Sequence, residues 1–143
     1  MNSFKNRLNE LLKEHNLNEK LLAELLKIKN LSTIYNWTSG NFVPKINIVI
    51  EIANIFKCST DFLLGLSDNN ETIKPKSCPP FYSQLELILK DKGLKVYNLR
   101  KDNVISAGLA ESIFVKHSIP LTYNVIKIAE YLKISIDELV GRV

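Results

Sequence analysis

Along the first seventy residues, apolar side chains return every three or four positions, the spacing of one face of an α-helix. Phe4, Leu8, Leu11 and Leu12 predict a first helix. A second follows Asn18, a good N-cap, and carries Leu21, Leu22, Leu25 and Leu26. The spacing predicts a third from about Leu31 to Thr38, stopped by the Ser39-Gly40 pair. Pro44 opens a fourth, with Ile48, Ile52, Ile55 and Phe56 as its apolar set, and Ser59 caps a short fifth. No segment alternates with period two over the length of a strand. The pattern predicts an all-α chain.

The same order then returns. Residues 50–65 read IEIANIFKCSTDFLLG and residues 126–141 read IKIAEYLKISIDELVG, identical at eight of sixteen positions. Two unrelated segments would share roughly one. The offset is 76 here and 77 nearer the N-terminus, where Phe4/Phe81, Leu8/Leu85, Leu12/Leu89, Leu22/Leu99 and Ile28/Ile105 pair. One extra residue in the first copy is therefore expected between Ile28 and Pro44, near Lys29–Leu31, where it would lengthen a turn. Ser135 and Glu138 have the spacing of a capping box, and Gly65 and Gly141 follow the fifth helices, where glycine accepts left-handed dihedrals. Two five-helix units are expected, at 1–67 and 81–143, joined by a polar, proline-bearing linker at 68–80.

Composition narrows the functions. The chain has 143 residues, 45% of them hydrophobic and 24% charged, which excludes wholesale disorder. Nineteen Lys and Arg against fifteen Asp and Glu give a net charge of +4, compatible with an anionic partner. No apolar run is long enough to span a membrane, and the polar N-terminus lacks the apolar core of a signal peptide, so a cytoplasmic location is expected. Cys58 and Cys78, with His15 and His117, lack zinc-site spacing. Cys58 reads as a core residue and Cys78, among prolines, as solvent-exposed. With five scattered glycines there is no phosphate-cradling loop, and no nucleophile–base arrangement can be read in chain order. No metal, cofactor or small-molecule substrate is implied, and enzymatic function has no positive support.

Residues 18–44, NEKLLAELLKIKNLSTIYNWTSGNFVP, resemble the helix-turn-helix core of lambda-repressor-like, XRE-type proteins. Leu22 and Ala23 match the leucine and small residue of the second helix, Ile28 the anchor of the turn, and Trp37 the aromatic closing the third helix. Gly40 and Pro44 match the residues that follow. The terminal Ser-x-Asp-x-Leu-x-Gly signature is met at both Ser59–Gly65 and Ser135–Gly141. The resemblance implies two tandem lambda-repressor-like domains and double-stranded DNA as partner, in a repressor of bacterial, phage or mobile-element type. Ala23 fits a tight helix crossing, and Ile34 and Trp37 point to the core. That leaves Asn30, Ser32, Thr33, Tyr35 and Asn36 outward, as short hydrogen-bonding side chains able to address base edges. Asn18 and Lys20 at the start of the second helix, with Lys29, Asn41 and Lys45, are the expected phosphate contacts. Three departures stand out. Glu19 replaces a common glutamine, Asn41 a common lysine, and Thr38 the acid that pairs with an arginine of helix one, which leaves Arg7 for solvent or DNA.

The second copy departs further. Arg100 occupies the small-residue position, and Val104 and Lys116 stand where glycines are usual. Its third helix, Ser106 to Phe114, would expose Ala107, Gly108, Leu109, Glu111 and Ser112, which are poor base readers. Residues 71–143 nevertheless carry eleven basic against eight acidic groups, while residues 1–70 carry eight against seven. Lys92, Lys95, Lys101, Lys116 and His117 could touch phosphates without specifying sequence. The second copy is thus either a DNA clamp or a protein-contact surface, within the chain or between chains, the latter facing a second copy or a regulatory protein. A protein-interaction module of the same fold, antirepressor or antitoxin-like, is the alternative to the DNA-reading regulator.

Overall fold

The structure is a computed structural model that describes residues 2–143. Among the described residues there are ten α-helices and no strand, and the chain is all-α. It divides into two compact units, Met1–Pro75 and Lys76–Val143.

The first unit contains α1 (Asn2–Glu14), α2 (Glu19–Leu26), α3 (Leu31–Thr38), α4 (Ile46–Phe56) and α5 (Thr60–Leu63). Phe4, Leu8, Leu11 and Leu12 of α1 are buried, as their spacing predicts. Side chains set the helix starts: the Asn18 Oδ1 accepts from the Leu21 N–H at 2.9 Å, and the Ser59 Oγ from the Phe62 N–H at 2.8 Å. Each satisfies an amide with no partner inside its helix. α3 packs on α1 and α2, and α5 on α1 and α4.

Two apolar faces differ from the sequence reading. In α2 only Leu22 and Ala23 are fully buried, while Leu21 and Leu25 are exposed, because α3 covers one side of a helix that has leucine on two. α4 begins two residues beyond Pro44, with Lys45 as N-cap, and buries Ile46, Val49, Ile52, Ala53 and Phe56. Ile48 and Ile55 are half-buried, so the face is rotated from the expected one.

The second unit contains α6 (Phe81–Asp91), α7 (Val96–Lys101), α8 (Ala107–Phe114), α9 (Thr122–Leu132) and α10 (Ile136–Val140). Leu85, Leu99, Ile113, Val125, Ile128 and Leu139 form its fully buried centre. The Ser135 Oγ accepts from the Glu138 N–H at 3.0 Å, and α10 packs on α6 and α9. The Tyr131 hydroxyl donates to Asp102 at 2.5 Å, which ties α9 to the end of α7; that bond, with lesser help from burial, raises the pKa of the phenol. Asp137 and Arg142 form a buried ion pair at 2.9 Å.

The length difference between the copies lies inside the second helix, not in the turn after it. In the first unit the Lys27 and Ile28 amides close α2 on Glu24 and Ala23; in the second, the Asn103 and Val104 amides close α7 on Arg100 and Leu99. Those pairs are 76 apart, as are the starts of α3 and α8, whereas the caps Asn18 and Lys95 are 77 apart. Leu99 therefore stands where both Leu22 and Ala23 act, and Arg100 matches the exposed Glu24 rather than the small-residue position. On either side of α8 the left-handed residues are likewise Asn103 and His117, each next to the position expected from glycine spacing.

The stretch 68–80 has no helix, yet parts of it are fastened. The Ile73 amide donates to the Lys57 carbonyl at 2.9 Å within the first unit, and the Pro79 ring lies against Gly141 within the second. Cys58 is buried as expected. Cys78 is half-buried rather than solvent-exposed; burial pushes its thiol pKa up, against the opposing pull of Arg142 and Lys76.

Candidate nucleic-acid interface

α3 sits as its pattern demands: Ile34 and Trp37 are 0% and 4% exposed, so the remaining side chains face outward. Tyr35, at 50% exposure, and Ser32 stand on the open side, and Thr33 and Asn36 are half-buried. Asn30 precedes the helix as its N-cap. Its Oδ1 accepts from both the Ser32 N–H at 3.1 Å and the Ser32 hydroxyl at 2.6 Å, so these two expected base readers are bonded to each other. Asn36 holds the following loop: its carbonyl accepts from the Asn41 and Phe42 amides, and its Oδ1 from the Asn41 Nδ2 at 3.4 Å. The structure thus brings Tyr35, Asn36 and Asn41 together at one end of α3, with Asn30, Ser32 and Thr33 at the other.

The expected phosphate contacts Asn18, Lys20, Lys29, Asn41 and Lys45 are all exposed. Asn18 spends its Oδ1 on its cap, and its amide nitrogen is the group left to donate outward. Lys45 caps α4 through its backbone. Gly40 holds φ +86° and ends α3 sharply, which turns Asn41 and Phe42 out of the helix. Phe42 is 64% exposed beside α3, and the sequence pattern does not single it out. The only signal is an aromatic in the turn between Gly40 and Pro44.

Two departures from the expected pattern explain each other. The Thr38 hydroxyl donates to the Glu19 carboxylate at 3.2 Å, so the start of α2 is tied to the end of α3 by the two residues that differ from the usual ones. Asn9 adds a bond from its Nδ2 to the Thr38 carbonyl at 3.0 Å. Arg7 is not left for solvent or DNA. Its guanidinium lies 4.0 Å above the Phe62 ring and pairs with Asp68 at 2.7 Å, a partner far along the chain in place of the one missing at Thr38.

In the second unit Lys92, Lys95, Lys101, Lys116 and His117 are exposed. The Lys95 amide donates to the Asn98 Oδ1 at 2.9 Å, and the His117 ring stacks on Tyr82 at 3.6 Å, nearly parallel. Lys101 joins Arg100 on one wall of a cleft of about 330 Å³ at the α7–α8 turn. α8 buries Ala110 and Ile113 and turns Ala107, Gly108 and Glu111 outward, with Leu109 and Ser112 half-buried. None of these offers the amide or phenol groups found on α3.

Residues 6–68 match the family model of a helix-turn-helix domain. The match spans α2, the turn and α3 with their flanking helices, and the first unit is thus similar to a helix-turn-helix domain. Helix-turn-helix domains are, as a class, DNA-binding modules, which supports DNA as a partner. No curated protein and no solved structure matches the chain. Among the described residues no helix is long and apolar enough to cross a membrane, and no group of His, Cys, Asp and Glu is placed to hold a metal ion.

Proposed function

We propose that this chain is a sequence-specific DNA-binding transcriptional regulator of repressor type, of bacterial, phage or mobile-element class. α3 of the first unit reads base edges in the major groove with Ser32, Thr33, Tyr35 and Asn36, and Asn30 orders their start. Lys20, Lys29 and Lys45, with the Asn18 and Asn41 amides, hold the backbone at the groove edges. The observation that carries the reading is the burial of Ile34 and Trp37, which fixes a row of hydrogen-bonding side chains on the open face of α3. Binding of this kind needs no bond chemistry and no cofactor, and regulation follows from occupancy.

The test is selection from random duplex DNA. A defined motif is expected, and Tyr35→Ala with Asn36→Ala should abolish preference for it while helicity is retained. Unchanged preference would remove α3 from the reading role. The alternative is a protein-interaction module of antirepressor or antitoxin type. It is favoured by the thin charge of residues 1–70, eight basic against seven acidic groups, because phosphate neutralisation supplies much of DNA affinity. A salt series separates the two: a DNA binder weakens steeply as salt rises, while an interaction module gives no retardation even at low salt.

A further inference from the structure

We propose that the α7–α8 turn of the second unit binds a small nucleotide, with Arg100, Lys101 and Lys127 on its phosphates and Tyr97 against its base. Two adjoining clefts open at this turn, of about 330 and 380 Å³, and Asn103, Ile105 and Ser106 line both. Each volume falls in the ~300–1,000 Å³ range of small-molecule sites. Tyr97, Arg100 and Lys101 stand on the first cleft, and Asn124 and Lys127 of α9 on the second.

The charge of these clefts is unbalanced. Three cations line them and no acid does. Asp102, the acid of the same turn, lines neither and accepts the Tyr131 hydroxyl. Among the described residues none of the three cations forms an ion pair. Lys127 has only the ring of Tyr123 for company, at 5.7 Å. Concave surfaces lined by one sign of charge concentrate the opposite ion.

The first unit has the same helices in the same order and lacks this charge. At the offset of 76, Arg100 and Lys127 correspond to Glu24 and Glu51, both exposed, and Lys101 to the exposed Leu25. Asn103 and Ile105 correspond to Lys27 and Lys29. The first unit thus sets two charges of each sign where the second sets three of one. The fold calls for neither sign, so the cations answer to something outside it.

Two features favour a ligand that enters the clefts over a duplex lying across them. Lys127 belongs to α9 and is half-buried, so an anion must come in to meet it, whereas backbone phosphates meet side chains that project. α8 also offers no groups that would read the bases of a duplex held there. Phosphate suits the guanidinium of Arg100, whose planar fork matches two oxygens at once. Tyr97, 66% exposed, adds an aromatic ring to the wall that holds Arg100 and Lys101, where a base can stack.

Calorimetric titration of the full chain with magnesium-free ATP at low salt tests the assignment. One ATP should bind per chain. R100E/K127E, which installs the first unit's own residues, should weaken binding about tenfold or more with helicity unchanged. K90E/K133E removes the same charge from exposed positions elsewhere in the second unit and should leave affinity within about twofold. Tyr97→Ala should weaken ATP but not inorganic pyrophosphate. No saturable binding at millimolar ATP overturns the proposal, as do equal losses in the two double variants or an unchanged ATP affinity in Tyr97→Ala. Should R100E/K127E lose helicity, R100Q/K127Q decides by the same criterion. Random duplex DNA separates the two sources of phosphate: a chain that retards it through Arg100 and Lys127 yet ignores ATP would assign these cations to the DNA backbone and overturn the proposal. ATP binding is measured without an operator, so the result is independent of whether α3 reads bases.

Discussion

Arg7 shows how one side chain can serve two neighbours that sequence distance hides. Its guanidinium lies over the Phe62 ring, while its charge meets Asp68, sixty-one residues away. Asp68 is fully exposed, so most of what Arg7 contributes lies in the packing on the ring. Nothing local to Arg7 could have announced this partner. The residues that were legible are those whose partner is three positions away, such as Asn18 with Leu21 and Ser59 with Phe62. Gly65 belongs to both kinds. Its φ of +74° fits its place after α5, but a Cβ there would also lie 2.3 Å from the Cβ of Ser3 at the far end of the unit. Gly65→Ala should therefore lower stability by about 1–3 kcal/mol, from left-handed strain plus the displacement of α1, as read by urea unfolding of the full chain. A change no larger than that of a surface substitution would mean that α1 gives way freely.

At the scale of the element, what could be read depended on how unevenly apolar residues were spread. The limits of α3 were legible because the polar Asn30 and the Ser39-Gly40 pair bracket a segment with only Leu31, Ile34 and Trp37 strongly apolar on one side. α4 was not, because INIVIEIANIF places isoleucine or valine on nearly every face, and the choice of the buried one belongs to the helices around it. The run LLAELL of α2 concealed its orientation in the same way. It also let the 77-residue register run on as far as Ile28, past the point where the two copies change step. Ala23 is the position where close packing is most demanding: it is 6% exposed and its carbonyl closes the helix on Ile28. Ala23→Leu should force α2 from α3 and destabilise the chain by about 1–3 kcal/mol, with a matching fall in the thermal midpoint. In the second unit Leu99 already fills the equivalent place because α7 has one residue fewer than α2 between its cap and this position, so the same reasoning does not carry over to Arg100.

On the scale of the whole molecule, the two units hold themselves together by different means. The first closes with an exposed pair, Arg7 and Asp68, and the second with a buried one, Asp137 and Arg142. Arg142→Ala withdraws the cation from a carboxylate that is 5% exposed, and such losses amount to about 3–5 kcal/mol. The single tryptophan, Trp37, lies in the first unit and reports on it alone. Arg142→Ala should therefore remove part of the helical circular dichroism at a temperature where Trp37 emission is still native. Simultaneous loss of both signals would show that the units unfold as one. The repeat itself, the all-α class and the order of helices were all legible, because they rest on periodicity and on a duplicated segment rather than on any long-range partner.

The stretch joining the units also reads differently once its moorings are known. Ile73 is hooked to Lys57 on one side, and Pro79 is wedged at Gly141 on the other. Of the thirteen residues that composition marks as a spacer, those from 74 to 78 lie between the two moorings, roughly 17 Å of chain when taut. Evolution or an engineer who wished to lengthen the joint without loosening either end would have to splice there.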